Sequence, residues 1–142
     1  MAGLTLMLLD GSRVQRIERV ASLVAADASG QFGVLAGHAE FVTLLEPGLW
    51  RYRIEGEASW RHAAGAGGLL HCMPRAAGET EVRIVSARLL QAGAGETPAV
   101  LERQLDALLE HEALLRLSAR ASQLRVDTAL YRRLQELAEP PQ

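Results

Sequence analysis

His38, His62 and His71, with Glu40, are the residue types from which a small metal enzyme could build a centre. Their spacing argues against one. No two of these histidines stand at a close ligand interval, and His38-x-Glu40 alone is too short a pattern to define a site. Gly30-Gln31-Phe32-Gly33 and Gly65-Ala66-Gly67-Gly68 lack the Gly-Lys-Ser/Thr that completes a phosphate loop. Ser29 and Ser86 have no nucleophile-elbow context, and Cys72 beside Met73 reads as core. The expectation is no catalytic residue, no metal and no cofactor. His38 keeps two readings. In the Gly37-His38-Ala39 turn its imidazole can hold backbone groups together, or it can face a partner, with Gln31 in the preceding turn as companion.

The elements that must position these residues fall into two unlike halves. Up to Leu90 the chain is punctuated by glycine, with short apolar runs between. Leu4 to Leu9 reads as a strand stopped by Asp10-Gly11, and Glu18 to Ala26 as a second run. Trp50, Tyr52 and Ile54 alternate with Arg51, Arg53 and Glu55, the period of a half-buried strand. Val82, Ile84 and Ser86 alternate in the same way, and Gly65, Gly67 and Gly68 mark a bend or bulge. Many short strands with regular turn signals predict a β-sandwich or barrel. Trp50 and Trp60 read as packing residues, either of which could anchor a partner.

Residues 1–90 are therefore expected to form a β-sandwich domain and 91–97, with Gly93 and Gly95, a linker. From Pro98 the chain has no further glycine or proline until Pro140, and Thr97-Pro98 suits a helix start. An α-helical segment over 98–142 follows. Leu101, Leu105, Leu108 and Leu115 share one face, whereas Leu117, Ala121 and Leu124 fall on roughly the opposite one. A stripe that changes side favours a helical hairpin broken near Arg116 to Ala119; a single long helix is the alternative.

Composition excludes several classes. The 142 residues carry a net charge of −2, so no basic excess invites nucleic acid. Every basic residue is arginine, which codon usage in a GC-rich genome explains. The apolar start, Met1 to Leu9, is too short for a membrane span and lacks the features of a signal peptide. One cysteine fits a reducing compartment. A cytoplasmic protein without direct membrane insertion is expected.

The run from Gly30 to Gly48, GQFGVLAGHAEFVTLLEPG, resembles the signature of the epsilon subunit of F-type ATP synthases. That signature is a Gly-acid-Phe-Gly-hydrophobic-Leu-Pro-Gly-His-Ala-Pro segment ending in Leu-x-Pro-Gly. Gln31 replaces the acid, and Ala36 and Glu40 replace the two usual prolines. The flanks are similar too: Thr5 to Leu9, Val82 to Ala87, and Gln123-Leu124-Arg125-Val126. Glu40 to Leu45 and the Arg-Arg-Leu-Gln ending at Gln135 look more like the alternate, sodium-type branch.

The resemblance implies a non-catalytic subunit of the central stalk. It implies binding to the gamma subunit, rest of the sandwich on the c-ring, and coupling of rotation. It implies a helical segment that reaches the catalytic beta subunits and inhibits ATP hydrolysis. It also implies a place on the inner face of the bacterial cell membrane, held peripherally through the complex. By position, Gln31 and His38 become candidates for the c-ring contact. Arg116, Arg120, Arg125, Arg132 and Arg133 become candidates for the inhibitory arm, against the plainer reading of a solvated helix face. Some relatives bind ATP through Ile/Leu-Asp-x-x-Arg-Ala. Here Val126-Asp127 is followed by Leu130-Tyr131 in place of Arg-Ala, so no nucleotide is expected. Two alternatives to a stalk subunit are a free-standing protein-interaction adaptor and, less favoured, a small metal-dependent β-barrel enzyme.

Overall fold

A computed structural model describes residues 3–92 and 97–138. The predicted linker falls mostly outside them. Among the described residues nine strands, with one turn of 3-10 helix (Ala76–Gly78) between the seventh and eighth, precede one α-helix: β1 (Leu4–Leu9), β2 (Val14–Asp27), β3 (Gly30–Val34), β4 (Phe41–Leu45), β5 (Gly48–Ile54), β6 (Arg61–Gly65), β7 (Gly68–Pro74), β8 (Thr80–Val85), β9 (Leu89–Gln91) and α1 (Pro98–Ala138). Gln31 thus stands in a strand, not in the turn expected for it.

Strand β2 builds both layers of the sandwich. Its first half pairs with β1, and its second half pairs with β5 and β3. The changeover falls at Arg19, whose φ of 57° puts it in the left-handed region, and both ladders slip register beside it. A bulge of this kind bends a strand and lets it serve two sheets. The first sheet runs β4-β7-β8-β1-β2, with β1 and β8 parallel. The second runs β3-β2-β5-β6-β9. The bridge Asp27–Leu45 links them at one end.

The inner faces close over Leu4, Leu6, Leu8, Val20, Leu23, Trp50, Tyr52, Leu70, Val82 and Ile84, all nearly inaccessible. The alternations read in β5 and β8 are these inward sets. Trp50 is the largest fully buried side chain. With so few aromatics, aliphatic burial supplies most of the driving force.

The first compact unit extends to Asp106 and so takes in the first turns of α1. Leu101 and Leu105, four residues apart on one helical face, are 0% and 4% exposed. Together with Ala64 they are the buried apolar residues that lie outside the inner core. Ala64 points away from that core, between Leu49 and Leu90 on the neighbouring strands. The helix start therefore covers the outward row Leu49–Ala64–Leu90 of the second sheet.

The second unit is the remainder of the helix, from Ala107. No hairpin forms: α1 is continuous from Pro98 to Ala138. The favoured reversal near Arg116 to Ala119 is corrected to the single-helix alternative. The physical reason is that no residue there breaks a helix, and the change of stripe reflects a change of role. The early leucines are buried in the first unit. Leu117, Leu124, Leu130 and Leu134 are each more than half exposed.

Candidate docking site

His38 lies in the turn after β3. Its backbone N–H donates to Leu35 O at 3.2 Å, and the Gly37 N–H donates to Thr80 Oγ1 at 2.8 Å. Gly37 takes a φ of 86°, which favours glycine. The imidazole Nδ1–H donates to Ala39 O at 2.8 Å, and the ring rests on Phe41 with centroids 4.7 Å apart. Phe41 in turn meets Phe32 edge-on at 5.8 Å. The imidazole therefore holds the turn and remains exposed, with Nε2 bonded to no described residue. Gln31 sits near the far end of β3, opposite Ala26, in a cleft with Trp50, Arg51 and Pro98. The two candidates thus belong to different surroundings, and a contact through both would span β3.

Of the imagined metal group, only His71 and Glu40 meet, with Nε2 to Oε1 at 3.1 Å. Among the described residues, no three His, Cys, Asp or Glu side chains converge. Cys72 is buried, and burial, with the nearby Glu40 charge, pushes its thiol pKa up and away from the reactive thiolate.

The residues missed by sequence reasoning are apolar. On the outer face of the first sheet, Leu44 pairs with Leu69, Leu69 with Val85, Val85 with Leu9, and Leu9 with Val14. Adjacent strands lie ~4.8 Å apart, so this row runs for about 19 Å. Leu44 is 73% exposed, Val14 62%, Val85 48% and Leu69 40%. Val42, 58% exposed, flanks it. Single exposed apolar residues are ordinary, but a contiguous row marks an interaction surface. Its neighbours are charged. Glu81 is held below the usual carboxylate range, first by its hydrogen bond from Arg75 and also by Arg83 at 3.3 Å. Only the strand register could reveal the row, because its members come from five separate segments.

Asp27 fixes the edge of this surface. One carboxylate oxygen accepts from Ser29 N at 2.9 Å and Ser29 Oγ at 2.5 Å; the other accepts from Thr43 Oγ1 at 2.7 Å. These bonds, led by the Ser29 hydroxyl, lower its pKa. A carboxylate depressed in the folded state stabilises above its unfolded pKa, and loses that contribution as pH falls through the folded one. Thermal melts between pH 6 and 3 should therefore show an acid-side decline that Asp27→Asn makes shallower. Equal slopes in both proteins would remove Asp27 from the account.

The outward row Leu49–Ala64–Leu90 of the second sheet is covered by the first turns of α1, whereas the outer face of the first sheet carries the bare apolar row. These features define a β-sandwich with one exposed apolar outer row and a C-terminal helix. The ATP synthase Delta/Epsilon chain β-sandwich domain family matches residues 4–87. The ATP synthase epsilon chain 2 of Cereibacter sphaeroides is 37% identical over 117 residues, covering 82% of this chain and 75% of that one. The ATP synthase epsilon chain of Caldicellulosiruptor bescii is 32% identical over 140 residues, covering 96% and 93%. A chain in a Euglena gracilis mitochondrial ATP synthase assembly (OSCP, F1 and c-ring) shares the fold. Its TM-score is 0.58 at 24% identity, over 80% of this chain and 66% of that one. The chain belongs to the epsilon subunit family of F-type ATP synthases, and is a non-catalytic subunit of that rotary enzyme. Among the described residues no helix is long and apolar enough to cross a membrane.

Proposed function

We propose that this subunit works in the central stalk, with the row Leu44–Leu69–Val85–Leu9–Val14 as the seat of the gamma subunit. The observation that carries the reading is that row, left bare while the apolar row Leu49–Ala64–Leu90 of the other sheet is covered by the helix start. Family membership supplies the partner. The His38 turn rests on the c-ring, where Nε2 is available to a partner, and Gln31 extends the contact. The sandwich thereby links gamma to the ring, and its closed, densely packed core resists shear as the rotor turns. The segment of α1 from Ala107 is the regulatory arm. It meets the catalytic beta subunits and restrains ATP hydrolysis. The subunit sits on the cytoplasmic face of the bacterial membrane, held there through the complex.

Co-purification with gamma is the test. The wild-type chain should form a stable complex at micromolar concentration. Leu44→Asp and Leu69→Asp change exposed side chains, so circular dichroism should be unaltered. Each should weaken the complex about 10-fold or more, since charge is being buried in an apolar contact. Wild-type affinity in both would refute the seat. In the assembled enzyme, His38→Glu should impair coupling with the sandwich intact; normal coupling would refute the ring contact.

A further inference from the structure

The outer face of the second sheet holds a cleft that the proposed gamma contact does not use and that shares only Gln31 with the proposed ring contact. Its volume is about 200 Å³, and it is lined by Gln31, Leu49, Trp50, Arg51, His62 and Pro98, among others. Arg51 and His62 are cross-strand partners. Their side chains therefore leave the sheet together, as a pair of nitrogen donors. Gln31 adds an amide from β3, and Pro98 closes the cleft from the first turn of α1.

Arg51 is prepared for a ligand. Its guanidinium carbon lies 4.9 Å from the ring centroid of Trp60, and that of Arg53 lies 5.8 Å from the same ring. Stacking fixes a guanidinium without consuming its N–H donors. Among the described residues neither arginine has a carboxylate within 4.0 Å, whereas Arg16, Arg61, Arg75 and Arg83 are paired. Two positive groups held on one indole would repel each other. Such an arrangement persists most easily where an anion offsets it.

We propose that this cleft binds a phosphate-type oxyanion, with Arg51 as the principal ligand and His62 and Gln31 completing the set. The volume suits one tetrahedral oxyanion, and is below the ~300–1,000 Å³ of sites that enclose a whole drug-sized ligand. A nucleotide could enter only by its terminal phosphate. Because the walls come from β3, β5, β6 and the start of α1, an occupant ties the helix to the sheet.

Trp60, which stacks on Arg51, supplies the readout. Inorganic phosphate should change the emission of the full chain saturably, at constant ionic strength held by chloride. Arg51→Gln should weaken binding about 10-fold or more, as loss of a charged donor does. Trp60→Phe, followed by titration calorimetry in place of emission, should retain binding, because a phenyl ring still stacks. ATP is the second arm. If it binds at least about 10-fold tighter than phosphate and loses that affinity in Arg51→Gln, the oxyanion is a nucleotide's terminal phosphate. If the two bind alike, it is free phosphate. No saturable change with either ligand at millimolar concentration overturns the proposal. So does equal affinity in wild type and Arg51→Gln.

Discussion

Gly68→Ala is expected to destabilise the sandwich by about 2–5 kcal/mol, the sum of backbone strain and overpacking. For a unit of this size, the melting temperature should fall roughly 10–30 °C. The residue takes a φ of +153°, where side chains other than hydrogen are strained. A Cβ there would lie 2.4 Å from Val85 O and 3.2 Å from Ser86 Cβ. The obstacle is backbone at the β7–β8 pairing, so no rotamer relieves it. Ser86 sits under the same bend, where its hydroxyl donates to Gly67 O at 2.5 Å and contacts Arg88 O at 3.0 Å.

Gly65→Ala gives the instructive contrast. Its Cβ would meet Trp50 ring atoms at 2.4 and 2.8 Å. Here the obstacle is a side chain, so Trp50→Phe, which lacks the second ring, should recover part of the loss in the double variant. Gly33→Ala is the control, with its nearest neighbour 3.9 Å away and no left-handed backbone. Differential scanning calorimetry of wild type, the three glycine variants, Trp50→Phe and the double variant measures the pattern. A Gly68→Ala protein that melts with wild type would mean that β7 and β8 are not paired as described.

How much of this could be read from sequence follows from what local pattern encodes. Trp50 and Tyr52 alternated visibly because their strand has one wet face, and the Gly65–Gly68 bend announced itself by composition. The length of β2 did not. Its first half, Val14 to Glu18, is largely exposed and carries Arg16 and Glu18, so only the apolar second half looked like strand. The apolar row was illegible because it exists only once five strands have chosen their register. His38 was legible as a turn residue, and its bond to Ala39 O agrees with the structural reading of the imidazole. The continuous helix was misjudged for a different reason. A stripe that changes side favours a reversal of the chain into a hairpin. In fact Leu101 and Leu105 are buried in the first unit, and the later leucines are exposed, available to something outside the chain.

That exposure shapes the expectation for the arm. Deleting residues 107–142 should leave a folded sandwich and raise ATP hydrolysis by the assembled enzyme. The cut belongs after Asp106, not before Pro98. Removing Leu101 and Leu105 as well would forfeit about 3–6 kcal/mol of apolar burial and would confuse misfolding with release. Within the arm the five arginines are not one patch. At about 3.6 residues per turn, Arg116 and Arg120 share a side, while Arg125 and Arg132 lie roughly half a turn away. Leu117, Leu124 and Tyr131 form one exposed stripe, and Val126, Leu130, Leu134 and Leu137 another. Arg116 and Arg120 fall between these stripes; Arg125 and Arg132 lie on the back. Among the described residues none of the five has a carboxylate within 4.0 Å, so charge reversal breaks no internal pair. An arm that docks by its apolar side should therefore lose inhibition in Arg116→Glu/Arg120→Glu and keep most of it in Arg125→Glu/Arg132→Glu. A purely long-range attraction would respond equally to both pairs and would fade with salt. Hydrolysis rates of the reconstituted enzyme with wild-type, truncated and the two charge-reversed chains separate the cases. Equal rates for all four would mean that the arm does not regulate this enzyme.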